Sequence, residues 1–254
     1  MREVALAWGA ATDTGQRAEN QDSFLARPPV FAVADGMGGH AAGRQASVVA
    51  VDRLARTAES VTETAPLTVD TLRAGLRGAD DDIRRAASTL GDARGMGTTV
   101  AGVALVDDQE HGPCWAVFHV GDSRVYLFSD EGLLQLSTDH SVVQELVDMG
   151  MISAAAAAVH PQRHLVTRAL GVGAQAEADV ALLPVEPGQR FLICSDGLSG
   201  ELEDGEIARL LAEAPDAQAA AGTLVRTAVD RGASDNVTAV VVEVAELPQD
   251  GTGG

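Results

Sequence analysis

The apolar segments of this chain are short, and several of them end on, or begin beside, an aspartate. Val33-Ala34-Asp35-Gly36 and Cys194-Ser195-Asp196-Gly197 close two such runs with Asp-Gly, and Val120-Gly121-Asp122 closes a third. Ser234-Asp235-Asn236 stands before the last run, and Asp22 precedes Ser23 to Ala26. Brief apolar runs bounded by Gly, Asp or Pro read as buried strands. Val4–Gly9, Val30–Ala34, Thr98–Leu105, Trp115–Val120, Val125–Phe128, Leu133–Leu136, Val180–Leu183, Phe191–Cys194 and Thr238–Val244 qualify. A chain built this way must stack sheets, and it carries acids at the strand ends.

Helical periodicity supplies the other layers. Ala41 to Ala58 places Val48, Val51, Ala55 and Ala58 on one stripe; the next helix places Val69, Leu72, Leu76, Ala79, Ile83, Ala86 and Leu90 at steps of three and four. That second stripe resembles a coiled-coil seam, but it is short and Gly75 and Gly78 interrupt it, so it reads as one helix lying on a sheet. Further helices are expected near Ser141–Met149, Glu206–Glu213 and Ala217–Arg231. Strands in runs and helices in pairs argue for an α+β layered fold.

With no linker or repeat, residues 1–248 read as one domain and 249–254 as a polar, glycine-rich, frayed tail. Asp and Glu number 37 against 18 Lys and Arg, all of them Arg, for a net charge of -19. Without a concentrated basic face such a chain is repelled by phosphate backbones, which sets nucleic acid aside. No segment approaches the ~20 apolar residues that span a bilayer, and no signal-peptide core is present. The reading is a cytoplasmic protein with no membrane association, expected as a monomer. Cys114 and Cys194, inside apolar runs, read as buried reduced thiols.

Any one of the five aspartates is explained as a turn or cap residue. Together they raise a different expectation, since carboxylates converging at one end of a sheet stack repel by ~4 kcal/mol per pair ~4 Å apart at an effective dielectric of about 20. Arg17 and Arg124 are candidate counter-charges, but a divalent ion is more economical. Oxygen donors without His or Cys select Mg or Mn over Zn. Such a centre with an Arg at hand suits phosphoryl chemistry.

The same segments carry a resemblance. Arg17-x-x-Asn20-Gln21-Asp22, Asp35-Gly36-Met37-Gly38-Gly39-His40, Gly97-Thr98-Thr99, Gly121-Asp122-Ser123-Arg124, Asp139-His140, Thr167-Arg168-Ala169-Leu170-Gly171, Ser195-Asp196-Gly197-Leu198 and Ser234-Asp235-Asn236-Val237-Thr238 follow in order along almost the whole chain. The set resembles that of the metal-dependent PP2C-type (PPM) Ser/Thr protein phosphatases in their bacterial form. The resemblance implies a four-layer αββα sandwich with two central, mostly antiparallel sheets and a centre of two Mn2+ or Mg2+ ions at one end. It implies Asp22, Asp35, the Gly36 carbonyl, Asp196 and Asp235 as metal ligands, with Asp35 bridging, and Asp122 with Asp196 at a third, weaker ion. Arg17 would bind the substrate phosphate while a metal-activated water attacks phosphorus. Phosphorylated proteins would be the substrates and bacterial Ser/Thr kinases the counterparts. A catalytically silent phosphoprotein-binding module and a dedicated phosphatase of an anti-sigma-antagonist regulator are the alternatives.

The resemblance also marks Met149 to Arg163 as a flap beside the site, expected to tune substrates without being required for chemistry. Many eukaryotic relatives have His where this chain has Met37, and Met carries no proton for the leaving group; water is the first candidate donor and His40 the second. The remaining signals read as structure. His160 and His164 have helical zinc spacing, but Pro161 and the missing Glu argue against it. Asp139-His140 reads as a cap and a packed ring, and Asp80-Asp81-Asp82 as a solvated helix face. Ser123 and Ser195 lack a nucleophile elbow.

Overall fold

The computed structural model describes residues 5–38, 41–62, 65–89, 95–108, 110 and 112–245. The tail from 249, Val4, His40 and Leu90 lie outside them. In chain order the elements are β1 (Leu6–Asp13), β2 (Asp22–Arg27), β3 (Val30–Met37), α1 (Ala41–Glu59), α2 (Val69–Thr89), β4 (Gly97–Thr98), β5 (Val100–Asp108), β6 (Gly112–Val120), β7 (Arg124–Ser129) and β8 (Gly132–Gln135). There follow α3 (Val142–Asp148), α4 (Ala154–Ala158), β9 (Asp179–Pro184), β10 (Arg190–Cys194), α5 (Asp196–Ser199), α6 (Asp204–Glu213), α7 (Ala217–Asp230) and β11 (Val237–Val244).

Alternation along the strands sets the layers. In β3, Phe31 and Val33 face one side and Val30, Ala32 and Ala34 the other, and all five are buried. In β11, Val240, Val242 and Val244 face one side and Val237, Ala239 and Val241 the other. Strands buried on both faces lose the polar alternation of a half-wet sheet, which is why they read as continuous apolar runs. One sheet has the order β1-β11-β10-β7-β8, the other β2-β3-β5-β6-β9, with β4 on β3. The ladders are antiparallel.

Phe31, Trp115 and Val117 meet Val125, Phe191 and Val240 between the sheets, with Trp115 and Phe191 edge to face at 5.2 Å. The helices α1 and α2 cover the outer face of the second sheet, and α5, α6 and α7 that of the first. The result is the expected αββα sandwich. Helices α3, α4 and α7 begin where a side chain accepts an otherwise orphaned N–H, Ser141 from Gln144 (3.3 Å), Ser153 from Ala156 (3.2 Å) and Asp216 from Ala219 (2.7 Å), whereas α5 and α6 start without a side-chain cap.

Several expectations change. The first strand runs Leu6–Asp13, later than expected, because it pairs β11 as far as Asp13 opposite Val237. The buried face of α1 is Ala46, Ala50, Leu54 and Ala58, whereas Val48 is exposed. Of the expected stripe, Ala58 is buried, Val51 and Ala55 pack half-buried against the core, and Val48 turns outward. On α2, Leu72, Leu76, Ala79 and Ile83 are buried as read. Gly75 and Gly78 are contact positions, not interruptions: a Cβ there would lie 2.6 Å from Thr57 Oγ1 and 2.2 Å from the Arg53 guanidinium respectively. Nor is Asp80 solvated. It is fully buried, bonded twice by Arg84 and once by the Gly171 N–H (2.6 Å), while Asp82 pairs with Arg53, Arg56 and Arg85. Both cysteines are buried and free. Among the described residues no helix is long and apolar enough to cross a membrane.

Candidate metal centre

Antiparallel pairing brings the strand-end acids to one edge of the sandwich. Asp22 opens β2 and Asp35 lies near the end of β3, and the register sets them directly opposite one another. Like charges at opposed positions on one face, with Cβ atoms about 5 Å apart, are destabilising unless a cation intervenes. The end of β10 and the start of β11 lie side by side, with Cys194 opposite Ala239, so Asp196 and Asp235 arrive at the same edge. Asp122 comes from the turn between β6 and β7. Asp35 feels the charges of Asp22, Asp196, Asp122 and Asp235, so the five acids of the sequence reading form one cluster.

The side chains are held from behind. Asp22, 8% exposed, accepts from Ser195 Oγ (2.8 Å) and Thr238 Oγ1 (2.7 Å) through Oδ2, and its Oδ1 is buried with no partner. Burial, opposed by those two hydroxyls and aided by Asp196, pushes its carboxyl up to about 6. Asp35 is partly open to the cleft yet densely surrounded. Desolvation, then Asp22 and Asp196, hold its carboxyl well above the usual range. Its backbone is pinned by the Gly-Thr-Thr segment: Asp35 N–H donates to Thr99 Oγ1 (3.2 Å), and Asp35 O accepts from Thr99 N (2.9 Å) and Thr98 Oγ1 (2.8 Å).

Gly36 follows, where any side chain would collide with the Gly43 carbonyl at 2.1 Å; its absence lets α1 begin against β3. Asp196 starts α5 with Oδ1 buried and unpartnered. Asp122, 7% exposed, is pushed up to about 7 by burial first and by Asp196 and Asp139 next. Arg17 reaches Asp235 at 2.7 Å, with its side chain 58% exposed, so guanidinium N–H groups stay open to the cleft.

Arg124, a candidate counter-charge, is felt by one cluster acid, Asp122, but its direct bonds go elsewhere. It binds Asp139 at 2.7 Å and Tyr126 Oη at 3.0 Å, so Asp139 is its partner and not a helix cap; Ser141 caps α3. His160 Nδ1 accepts from the Gln162 N–H, and His164 Nδ1 lies 3.9 Å from Asp196 Oδ2, so the two histidines face different partners. Asn236, beside Asp235, carries no role legible in the sequence but has one in the fold. Its Oδ1 accepts from Gln21 N–H (2.8 Å) and its Nδ2 donates to Thr14 O and Glu19 O, stapling the loop that carries Arg17 beside Asp235. Its sequence signal is the Asn of Ser234-Asp235-Asn236, next to an acid.

The cluster fits hard divalent cations. Its donors are oxygens, two buried carboxylate oxygens on Asp22 and Asp196 lack any partner, and three of its acids resist ionisation in the metal-free chain. Among the described residues its ion-pair contacts are Arg17 with Asp235 and His164 with Asp196, too little charge for five acids.

Comparison with known proteins agrees. The model of the Protein phosphatase 2C family matches residues 13–228. The Ser/Thr protein phosphatase PstP of Mycobacterium tuberculosis is 36% identical over 244 residues, which are 96% of this chain and 46% of that protein, so this chain spans about half of its length. The Ser/Thr phosphatase stp of Listeria monocytogenes is 36% identical over 94% of this chain and 92% of its own. The crystal structure of the PstP catalytic domain in complex with two manganese ions superposes with a TM-score of 0.86 at 35% identity, covering 96% of this chain and all of that one. The PPM Ser-Thr phosphatase MsPP of Mycobacterium smegmatis, in complex with cacodylate, gives 0.81 at 39% identity over 94% and 98%. The chain belongs to the protein phosphatase 2C family.

Proposed function

We propose that this protein is a metal-dependent serine/threonine protein phosphatase, with residues 1–248 as its catalytic domain. The observation that carries the reading is the convergence of five carboxylates, two with orphaned buried oxygens, beside a half-exposed arginine. Asp22, Asp35, the Gly36 carbonyl, Asp196 and Asp235 would hold two Mn2+ or Mg2+ ions, and Asp122 with Asp196 a third. When bound, the ions supply charge stabilisation at the phosphoryl oxygens and water acidic enough to ionise near neutral pH.

The chain's own groups do the rest. Arg17 grips the substrate phosphate through its free guanidinium edge, while Asp235 and the Asn236 staple aim it. Ser195 and Thr238 keep Asp22 in one rotamer, so the acid cluster is set before any ion arrives. Met37 has no proton to give, so the leaving seryl or threonyl oxygen takes its proton from cleft water, with His40 as second candidate. Phosphorylated proteins are the substrates, and the chain acts in the cytoplasm as a monomer opposing Ser/Thr kinases. The clustering of these acids beside Arg17 supports this reading over a silent module.

The test is phosphate release from phosphothreonine peptides with and without Mn2+, alongside Asp35→Asn and Asp196→Asn. Release should require the ion and fall by roughly 10³-fold or more in either variant, the scale of losing a principal electrostatic element. Activity surviving chelation would sink the proposal.

A further inference from the structure

His119, His140 and Asp179 each place a ligand-type atom within 4.8 Å of the others. The spacing suggests a second metal site, but the hydrogen bonds on the rings argue otherwise. A carbonyl only accepts, so His119 Nε2, 2.8 Å from Thr138 O, carries the ring's proton. A backbone N–H only donates, so His140 Nδ1, 3.0 Å from Gly121 N, is the bare nitrogen. The His140 proton therefore sits on Nε2, facing Asp179 Oδ2 at 3.2 Å, where an ion would need a lone pair. The two rings are stacked, with centroids 4.6 Å apart at 25°, so their in-plane lone pairs do not converge on one point. Burial holds both rings below the usual imidazole range, His119 adding to the effect on His140, and both are neutral near pH 7.

What these bonds do is hold a turn. His140 N–H donates to Gly121 O at 2.9 Å while its ring accepts from Gly121 N–H, so one residue satisfies both backbone groups of Gly121. Gly121 has φ +105°, and a Cβ there would lie 2.6 Å from Thr99, so the turn is confined on that side as well. Asp179 fixes the His140 tautomer and is itself held by Arg168 at 2.8 Å. Asp122 is the next residue, and its carboxylate enters the acidic cluster.

We propose that His140 is a positioning residue for Asp122: bonded to both backbone groups of Gly121 and held in one tautomer by Asp179, it sets the turn that presents the Asp122 carboxylate. The inference rests on the reading of Asp122 as a ligand of a third, weaker ion. Loss of such a supporting contact typically weakens metal affinity 10–100-fold.

The experiment is calorimetric Mn2+ titration of the chelator-treated full chain, with circular dichroism as the folding control. Asp122→Asn should abolish the weakest binding event. His140→Ala should weaken that event at least tenfold and leave the tighter ones within about threefold. His140→Asn, whose amide oxygen stands near the position of Nδ1, should restore most of the loss. Asp179→Ala, at a side chain 54% exposed and so tolerant of change, should weaken the same event several-fold and serves if His140→Ala does not fold. An unchanged weak event in His140→Ala or Asp179→Ala, with Asp122→Asn abolishing it, overturns the positioning role alone. Equal weakening of all events in His140→Ala also overturns it, since that is what general loosening produces. Asp122→Asn with the weak event intact overturns the reading of Asp122 and the inference with it.

Discussion

Removing metal from this protein should give it a stability that falls with rising pH, because its cluster acids are raised, not depressed. In the metal-free chain Asp22 titrates at about 6 and Asp122 at about 7, against 3.8 for the free group, with burial the largest cause in both. A carboxyl whose folded-state pKa is raised binds more protons folded than unfolded. Stability is then greatest below the unfolded value and is lost as pH climbs through the folded one. At about 1.4 kcal/mol per unit, going from about pH 5 to about pH 8 costs about 1.4 kcal/mol through Asp22 and about 2.7 kcal/mol through Asp122. Asp35 acts in the same direction. Asp22 and Asp122 both repel Asp196, so their shares overlap, and a loss of about 3 kcal/mol is expected, a sizeable part of a typical total of about 5–15 kcal/mol. The assay is urea denaturation in excess chelator across that range, repeated with saturating Mn2+, which should remove the slope. Asp122→Asn should make the chelated protein more stable than the parent at about pH 8 and flatten its slope, separating this carboxyl from the general repulsion of a chain of charge -19. A chelated parent as stable at about pH 8 as at about pH 5 would refute the reasoning.

Arg17→Ala should lower kcat/KM on phosphopeptides by roughly 10–100-fold, the worth of a charge-assisted phosphate contact at about 1.5–3 kcal/mol, with the melting temperature nearly unchanged at so exposed a side chain. Gly75→Ala should destabilise by about 1–3 kcal/mol, since the new methyl meets the fixed, β-branched Thr57 and overpacking outweighs a helix-propensity gain of about 1 kcal/mol. Gly78→Ala meets only the movable end of Arg53 and should be neutral or stabilising; equal thermal shifts in the two variants would show that side-chain mobility does not decide the outcome. Replacing Ala154 to Ala158 with glycine should leave hydrolysis of a small aryl phosphate within about threefold, because α4 buries no residue and its loss costs only local helix propensity. Complete loss of that hydrolysis in a folded variant would contradict it.

What could be read from the residues alone was local. Apolar runs with their bounding Gly and Asp marked nearly every strand, periodicity marked the two long helices, and five aspartates at strand ends marked the acidic cluster, with the ordered motifs naming the family. These signals survive in a linear string because turn chemistry and face periodicity act over a few residues. Tertiary structure decided everything that depends on which surface meets which. Val48 reads as apolar and is exposed, Asp80 reads as a solvated acid and is buried under Arg84, and Gly75 reads as a defect and is a contact. Whether Arg124 faced the metal acids or Asp139 turned on its side chain's direction in the folded turn, and the service of Ser195, Thr238 and Asn236 to Asp22 and Arg17 spans separations of about two hundred residues. Pairing across strands and packing across layers are non-local, so no window of sequence contains both partners; only the antiparallel register that sets Asp22 against Asp35 turns scattered acids into one site.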